Sequence, residues 1–181
     1  IVESDADFQY AEELFFDVSI IKPQLAAPNS VDNVCPLSDL AGTPVHQAYL
    51  GSCTGGRAED IAVAASILKD KQVNKNTRFI LVPASQQVYL EALRNGDVET
   101  LLEAGATFVT PGCAACLGTH EGILAKGEVC IASTNRNFPG RMGHTQSAIY
   151  LGSPASVAAA ALTGKITDPS EILAELEKVS P

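Results

Sequence analysis

Basic residues are scarce in this chain of 181. Twelve Lys and Arg stand against 21 Asp and Glu, a formal net charge of -9. Without a basic face to neutralise phosphates, a nucleic acid is a poor partner. No apolar run approaches the roughly 18 residues needed to cross a bilayer as a helix, which argues against a membrane segment. No internal repeat and no low-complexity tract occurs. Charged residues make up only 18% and hydrophobic residues 46%, the reverse of a disordered tail. That apolar content suffices for a sizeable core in one domain, or one and a fraction. The chain opens at Ile1 with no signal-peptide pattern, and reads as a piece of something longer. Its five cysteines, an odd number in a chain that is not short, do not suit a secreted disulfide framework. Reduced thiols in the cytoplasm fit better, where clustered cysteines more often serve metal or redox chemistry than crosslinks.

The first 44 residues read irregularly. Phe15 to Ile21 has strand character, and Pro23, Pro28, Pro36, Gly42 and Pro44 then punctuate the chain. This stretch is expected to be an interdomain arm or the tail of a preceding domain, with one or two short strands. Residues 45–181 are expected to form an α/β domain. Strands are predicted at Val45–Leu50, Arg78–Pro83, Thr107–Val109, Val129–Ala132 and Ala148–Leu151. Helices are predicted at Ala58–Leu68, Gln86–Arg94, Val98–Ala104, Pro154–Leu162 and Ser170–Val179, and Ala114 to Leu124 reads as a short helix broken by Gly118 and Gly122. Near-continuous apolar strands alternating with helices predict a three-layer fold, a mostly parallel sheet with helices on both faces.

Three segments share one layout, each beginning just past the carboxyl end of a predicted strand. They are Gly51-Ser52-Cys53-Thr54-Gly55-Gly56-Arg57, Pro111-Gly112-Cys113-Ala114-Ala115-Cys116, and Ser133 through Arg141. In open parallel sheets that edge is where ligands bind, so the three loops are expected to converge on one pocket. Cys53, Cys113 and Cys116 would then be three thiols at that edge. Three ligands leave a metal centre open, whereas structural zinc takes four. A cubane held by three thiolates leaves one iron free to act as a Lewis acid toward a hydroxyl and a carboxylate. Arg136 and Arg141 supply guanidinium forks suited to carboxylates, and Asn135 adds a neutral donor and acceptor.

Simpler readings stand beside this one. A C-x-x-C pair alone also suits a redox disulfide or half a zinc site, although the redox reading leaves Cys53 and the arginine loop without a role. Cys35 and Cys130 read as buried small hydrophobes. His46, His120 and His144 lack ligand spacing and read as surface or packing residues. Arg57, Glu59 and Asp60 read as first-turn residues of a helix, where acids suit the dipole.

Taken together, Gly-Ser-Cys-Thr at 51–54, Pro-Gly-Cys-Ala-Ala-Cys at 111–116 and Asn-Arg-Asn-Phe-Pro-Gly-Arg at 135–141 resemble the aconitase superfamily. They are most similar to its 3-isopropylmalate dehydratase and homoaconitase large subunits, and to the third domain of those proteins. Ser153-Pro154-Ala155 ahead of an alanine-rich helix and Thr163-Gly164 fits as well, and the similarity runs from about Ser30 to Asp168. The resemblance implies a [4Fe–4S] cluster on Cys53, Cys113 and Cys116, with Asn135, Arg136 and Arg141 contacting substrate carboxylates. It implies a hydro-lyase that dehydrates and rehydrates a 2-hydroxy di- or tricarboxylic acid, in leucine or a related biosynthesis. The partners implied are the remaining large-subunit domains and a small, swivelling-domain subunit that carries the base. No catalytic base is assigned in this chain, which is expected to be inactive alone. Aconitase, 2,3-dimethylmalate dehydratase and a non-catalytic RNA-binding relative are the alternatives within the family. One departure is Gly55, where the family often carries Asn.

Overall fold

The computed structural model describes residues 2–179, with side chains to residue 174. Among the described residues seven strands form one sheet: β1 (Gln24–Ala26), β2 (Val34–Pro36), β3 (Gln47–Gly51), β4 (Arg78–Val82), β5 (Thr107–Phe108), β6 (Val129–Ala132) and β7 (Ala148–Leu151). Their spatial order is β2-β1-β7-β6-β3-β4-β5. The five from β7 to β5 are parallel, and β1 and β2 add an antiparallel hairpin beside β7. The helices are α1 (Ser52–Gly55), α2 (Ala58–Leu68), α3 (Gln86–Arg94), α4 (Asp97–Glu103), α5 (Pro154–Thr163) and α6 (Pro169–Val179). The α/β class and the mostly parallel sheet are those expected.

Alternation along the strands separates two cores. Ala48 and Leu50 of β3, Phe79 and Leu81 of β4 and Ile131 of β6 point to one side, where they meet Ile61, Leu68, Leu101 and Val157 from α2, α4 and α5. Tyr49, Ile80, Val82, Cys130, Ala132 and Ile149 point to the other. The helices start where their sequences supply acceptors for free amides. Ser85 Oγ accepts from Val88 N at 3.2 Å, and Ser153 Oγ accepts from Ser156 N at 3.2 Å. Alanines 158–161 of α5 are fully buried, and their small side chains let this helix lie close to the sheet and to α2.

The second face has a different covering from the helix layer expected there. Residues 109–128 and 133–146, on either side of β6, coat it as loops with a single 3-10 turn at Ala114–Leu117, from which Ala114, Ala115 and Cys116 enter the second core together with Leu124 and Met142. The helix predicted from Ala114 to Leu124 stops at Gly118, which adopts φ +66. A Cβ there would come within 3.0 Å of Gly143 N, so the coat packs on itself through backbone. The strand read at Phe15–Ile21 is also absent. Val18–Ile20 form a 3-10 turn, nucleated by Asp17, whose carboxylate accepts from Ser19 N at 2.9 Å. Hydrophobic residues in that stretch are exposed, including Phe15 at 92%. Among the described residues no helix is long and apolar enough to cross a membrane.

Candidate functional site

The sheet order sets β6, β3 and β4 side by side, so the segments following β6 and β3 emerge next to each other at the carboxyl edge. Gly51 ends β3 with φ +144, and Ser52 follows at φ +47. Left-handed φ is uncommon for a serine and costs strain. The turn throws Cys53 outward: its thiol is exposed, 3.9 Å from the Thr54 hydroxyl. Cys113 also stands next to a left-handed residue, Ala114 at φ +42. Two of the three candidate ligands are therefore presented by strained backbone.

Tyr49 ties the second loop to the sheet. Its hydroxyl, on a fully buried side chain of β3, donates to the carbonyl of Cys113 at 3.1 Å. Burial, and then the sulfur of Cys116 nearby, push this hydroxyl well above the ordinary tyrosine range, so it stays protonated and keeps donating. Cys116 is buried while Cys113 is exposed. Arg141 reaches across from the third loop, with Nη2 3.5 Å from Cys116 Sγ. The same guanidinium lies over the Phe138 ring at 5.6 Å, and its buried Nε has no partner. A buried N–H without an acceptor is costly, and here it belongs to a cation whose natural partner is an anion. Arg136 and Asn135 are exposed, with Arg136 Nη1 turned back onto the Asn135 carbonyl at 2.7 Å.

Of the predicted residues, the fold brings Cys116 and Arg141 into contact and anchors Cys113 to β3. Among the described residues no three His, Cys, Asp or Glu side chains converge on a single-ion site, and all five cysteines are free thiols. Cys130 is buried, and burial pushes its thiol well up, as a packing role requires. Cys35 is half-buried, with Sγ 3.9 Å from the Leu25 carbonyl. His46 and His144 use Nδ1 to accept backbone N–H groups of Val129 and Gln146, and His120 lies exposed beside Glu121.

Sequence reasoning missed Asn137. It is 2% exposed, and its Nδ2 donates to the carbonyls of Ala27 at 2.8 Å, Ser30 at 3.2 Å and Ile149 at 3.3 Å. This one amide pins the arginine loop to the β1–β2 hairpin. Its position between Arg136 and Phe138 was the only available signal. Asn137→Asp places a carboxylate against three carbonyl oxygens. It should cost about 3 kcal/mol or more, and Asn137→Ala about 2 kcal/mol. Urea unfolding of the three chains checks the order.

A recess of about 190 Å³ lined by Ser30, Val31, Arg136, Asn137 and Phe138 opens beside this loop. A larger cavity of about 470 Å³ lies toward the opposite ends of β4 and β5, lined by Arg78, Ile80, Thr107 and Gly122. The guanidinium of Arg78 there is already clamped by Glu128 at 2.8 Å, which makes it a poor anion site.

Residues 1–164 match the aconitase family (aconitate hydratase). 3-Isopropylmalate dehydratase large subunit 1 of Methanopyrus kandleri is 51% identical over 172 residues, covering 95% of this chain and 41% of that protein. The probable methanogen homoaconitase large subunit of Methanosarcina mazei is 53% identical over 171 residues, covering 94% and 43%. The 3-isopropylmalate dehydratase large subunit of a Hydrogenobaculum species is 51% identical over 176 residues, covering 97% and 42%. The chain thus spans about two fifths of the length of these relatives. With the matched residues reaching from the first strands of the sheet to the end of α5, the chain belongs to the aconitase family.

Proposed function

We propose that this chain is the cluster-bearing portion of the large subunit of an iron–sulfur hydro-lyase, of the 3-isopropylmalate dehydratase or homoaconitase type. Members of the family typically bind a [4Fe–4S] cluster, and the donor set here fits one. Three free thiols stand on two loops that follow parallel strands at one sheet edge, two of them exposed. Cys53, Cys113 and Cys116 would hold the cluster. When bound, it supplies an electrophilic iron that polarises the substrate hydroxyl.

The observation that carries the reading is Arg141 Nη2 lying 3.5 Å from Cys116 Sγ. A carboxylate-binding fork and a metal-binding sulfur share one spot there. Arg141, with its unpartnered Nε, would grip a substrate carboxylate, Arg136 would turn from the Asn135 carbonyl to a second one, and Asn135 would orient the hydroxy acid. The base that moves the proton belongs to other domains or to a small subunit, so the chain alone would not turn over. Residues 1–44 would be the arm from the preceding domain and 45–181 the cluster domain. The cytoplasm suits the free thiols.

Anaerobic reconstitution with iron and sulfide tests this. About four irons per chain are expected, lost in Cys53→Ser, Cys113→Ser and Cys116→Ser and kept in Cys35→Ser and Cys130→Ser. One zinc per chain, or full iron content in Cys53→Ser, overturns it. Turnover of a hydroxy acid by the lone chain at an ordinary enzyme rate would overturn the split-site reading.

A further inference from the structure

The turn that carries Cys53 is held from two sides by different means. On the β4 side it is held by contact. A Cβ on Gly51 would fall 2.3 Å from Val82 O, and one on Gly56 would fall 2.4 Å from the same oxygen. On the β6 side a single hydroxyl holds it. Ser133 Oγ accepts from Gly51 N at 2.9 Å and donates to Gly55 O at 3.0 Å, both bonds being buried. The first bond fixes the residue that enters the turn and the second fixes the residue that leaves it, with Cys53 between them.

Ser133 is itself immobile. It is 5% exposed, and its own N–H donates to Tyr49 O at 3.0 Å, continuing the β3–β6 pairing. Ser133 also occupies the space a side chain at position 55 would need. A Cβ on Gly55 would meet Ser133 Oγ at 2.4 Å and Ser133 Cβ at 2.5 Å. The glycine at 55 and the serine at 133 therefore fit as a pair. An acceptor for Gly51 and a donor for Gly55 are needed at one point, and a hydroxyl supplies both from one atom.

We propose that Ser133 is a positioning residue whose hydroxyl sets the stance of Cys53 and couples the Cys53 turn to the loop bearing Asn135, Arg136 and Arg141. Its consequence for iron rests on the reading of Cys53 as a cluster ligand, but its effect on the thiol does not. Without the hydroxyl, both backbone groups lose their partner and the turn is free to leave its strained conformation.

The test uses the full chain with Ser133→Ala and Ser133→Thr. Alkylation of Cys53 and Cys113 in the iron-free chains is followed by mass spectrometry, with Cys113 as the internal reference. In S133A the Cys53-to-Cys113 rate ratio should shift about fivefold or more as the turn leaves its fixed conformation, while S133T should stay close to the parent. In the reconstituted chains S133A should lose iron to a chelator about tenfold faster, the order by which losing an outer group that orients a ligand weakens metal sites, and after reduction with dithionite its cluster signature in electron paramagnetic resonance should broaden. An unchanged ratio in folded S133A overturns the proposal, as does S133T behaving like S133A. An S133A chain that does not fold also overturns it, since the hydroxyl would then hold up the domain rather than aim one thiol. If no chain takes up iron, the cluster reading fails while the alkylation ratio still judges Ser133.

Discussion

Gly51→Ala should destabilise the domain by roughly 3–5 kcal/mol, which for a chain of this size lowers the melting temperature by about 10 °C or more. Two costs add. At φ +144 an L side chain is strained before it touches anything. Its Cβ would then lie 2.3 Å from Val82 O and 2.9 Å from Val82 N, and that backbone belongs to an interior strand flanked by β3 and β5. Neither side can yield without breaking the β3–β4 ladder. Gly127→Ala is the control. Gly127 has φ +79 but open space around its Cβ, so only the conformational cost remains, about 1 kcal/mol. Paired thermal or urea unfolding separates crowding from strain. Equal losses at the two positions would mean that β4 gives way and that contact is not what holds the turn.

On the proposed reading, Arg141→Lys in the assembled enzyme should lower kcat/KM by about 10²–10³-fold, the equivalent of losing a desolvated charge-assisted fork, while iron content stays that of the parent. Lysine keeps the charge but presents one ammonium where the guanidinium presents a plane. It can neither stack over Phe138 as Arg141 does at 5.6 Å nor replace the Nε–H that has no protein partner. Steady-state kinetics with iron quantified on the same samples make the check. If activity falls only in proportion to iron, Arg141 serves the cysteine loop rather than the substrate, and its contact with Cys116 is structural.

Much of the scaffold is legible in the sequence because local pattern and tertiary demand agree. Ile61, Ala64, Ala65 and Leu68 recur at helical spacing, and all four are buried on α2. Phe79 to Val82 form an unbroken apolar run because both faces of β4 are covered. The same logic misleads where only one of the two conditions holds. Phe15 to Ile21 has strand composition but pairs with nothing, so a local Asp17–Ser19 turn wins. Ala114 to Leu117 starts a helix, but Gly118 and Gly122 require positive φ, and the coat closes as loops. The shared edge of the three loops follows from strand–helix alternation. The atoms that lock them do not, because Ser133, Asn137 and Tyr49 act on residues 78, 107 and 64 positions away, a distance no local pattern encodes.

The two sides of the sheet also differ in how they would come apart. A helix layer carries its own amide-to-carbonyl ladder and resists opening piecemeal. The loop coat, residues 109–128 and 133–146, leans on scattered bonds such as Leu124 N to Met142 O and His144 N to Leu124 O, so hydrogen exchange should find its amides released first. Cys113 and Cys116 ride on that coat, whereas Cys53 is bolted to the frame. On the proposed reading, loading iron would rivet the loose shell to the rigid chassis, and losing it would return the domain to a form whose frame stands while its shell breathes.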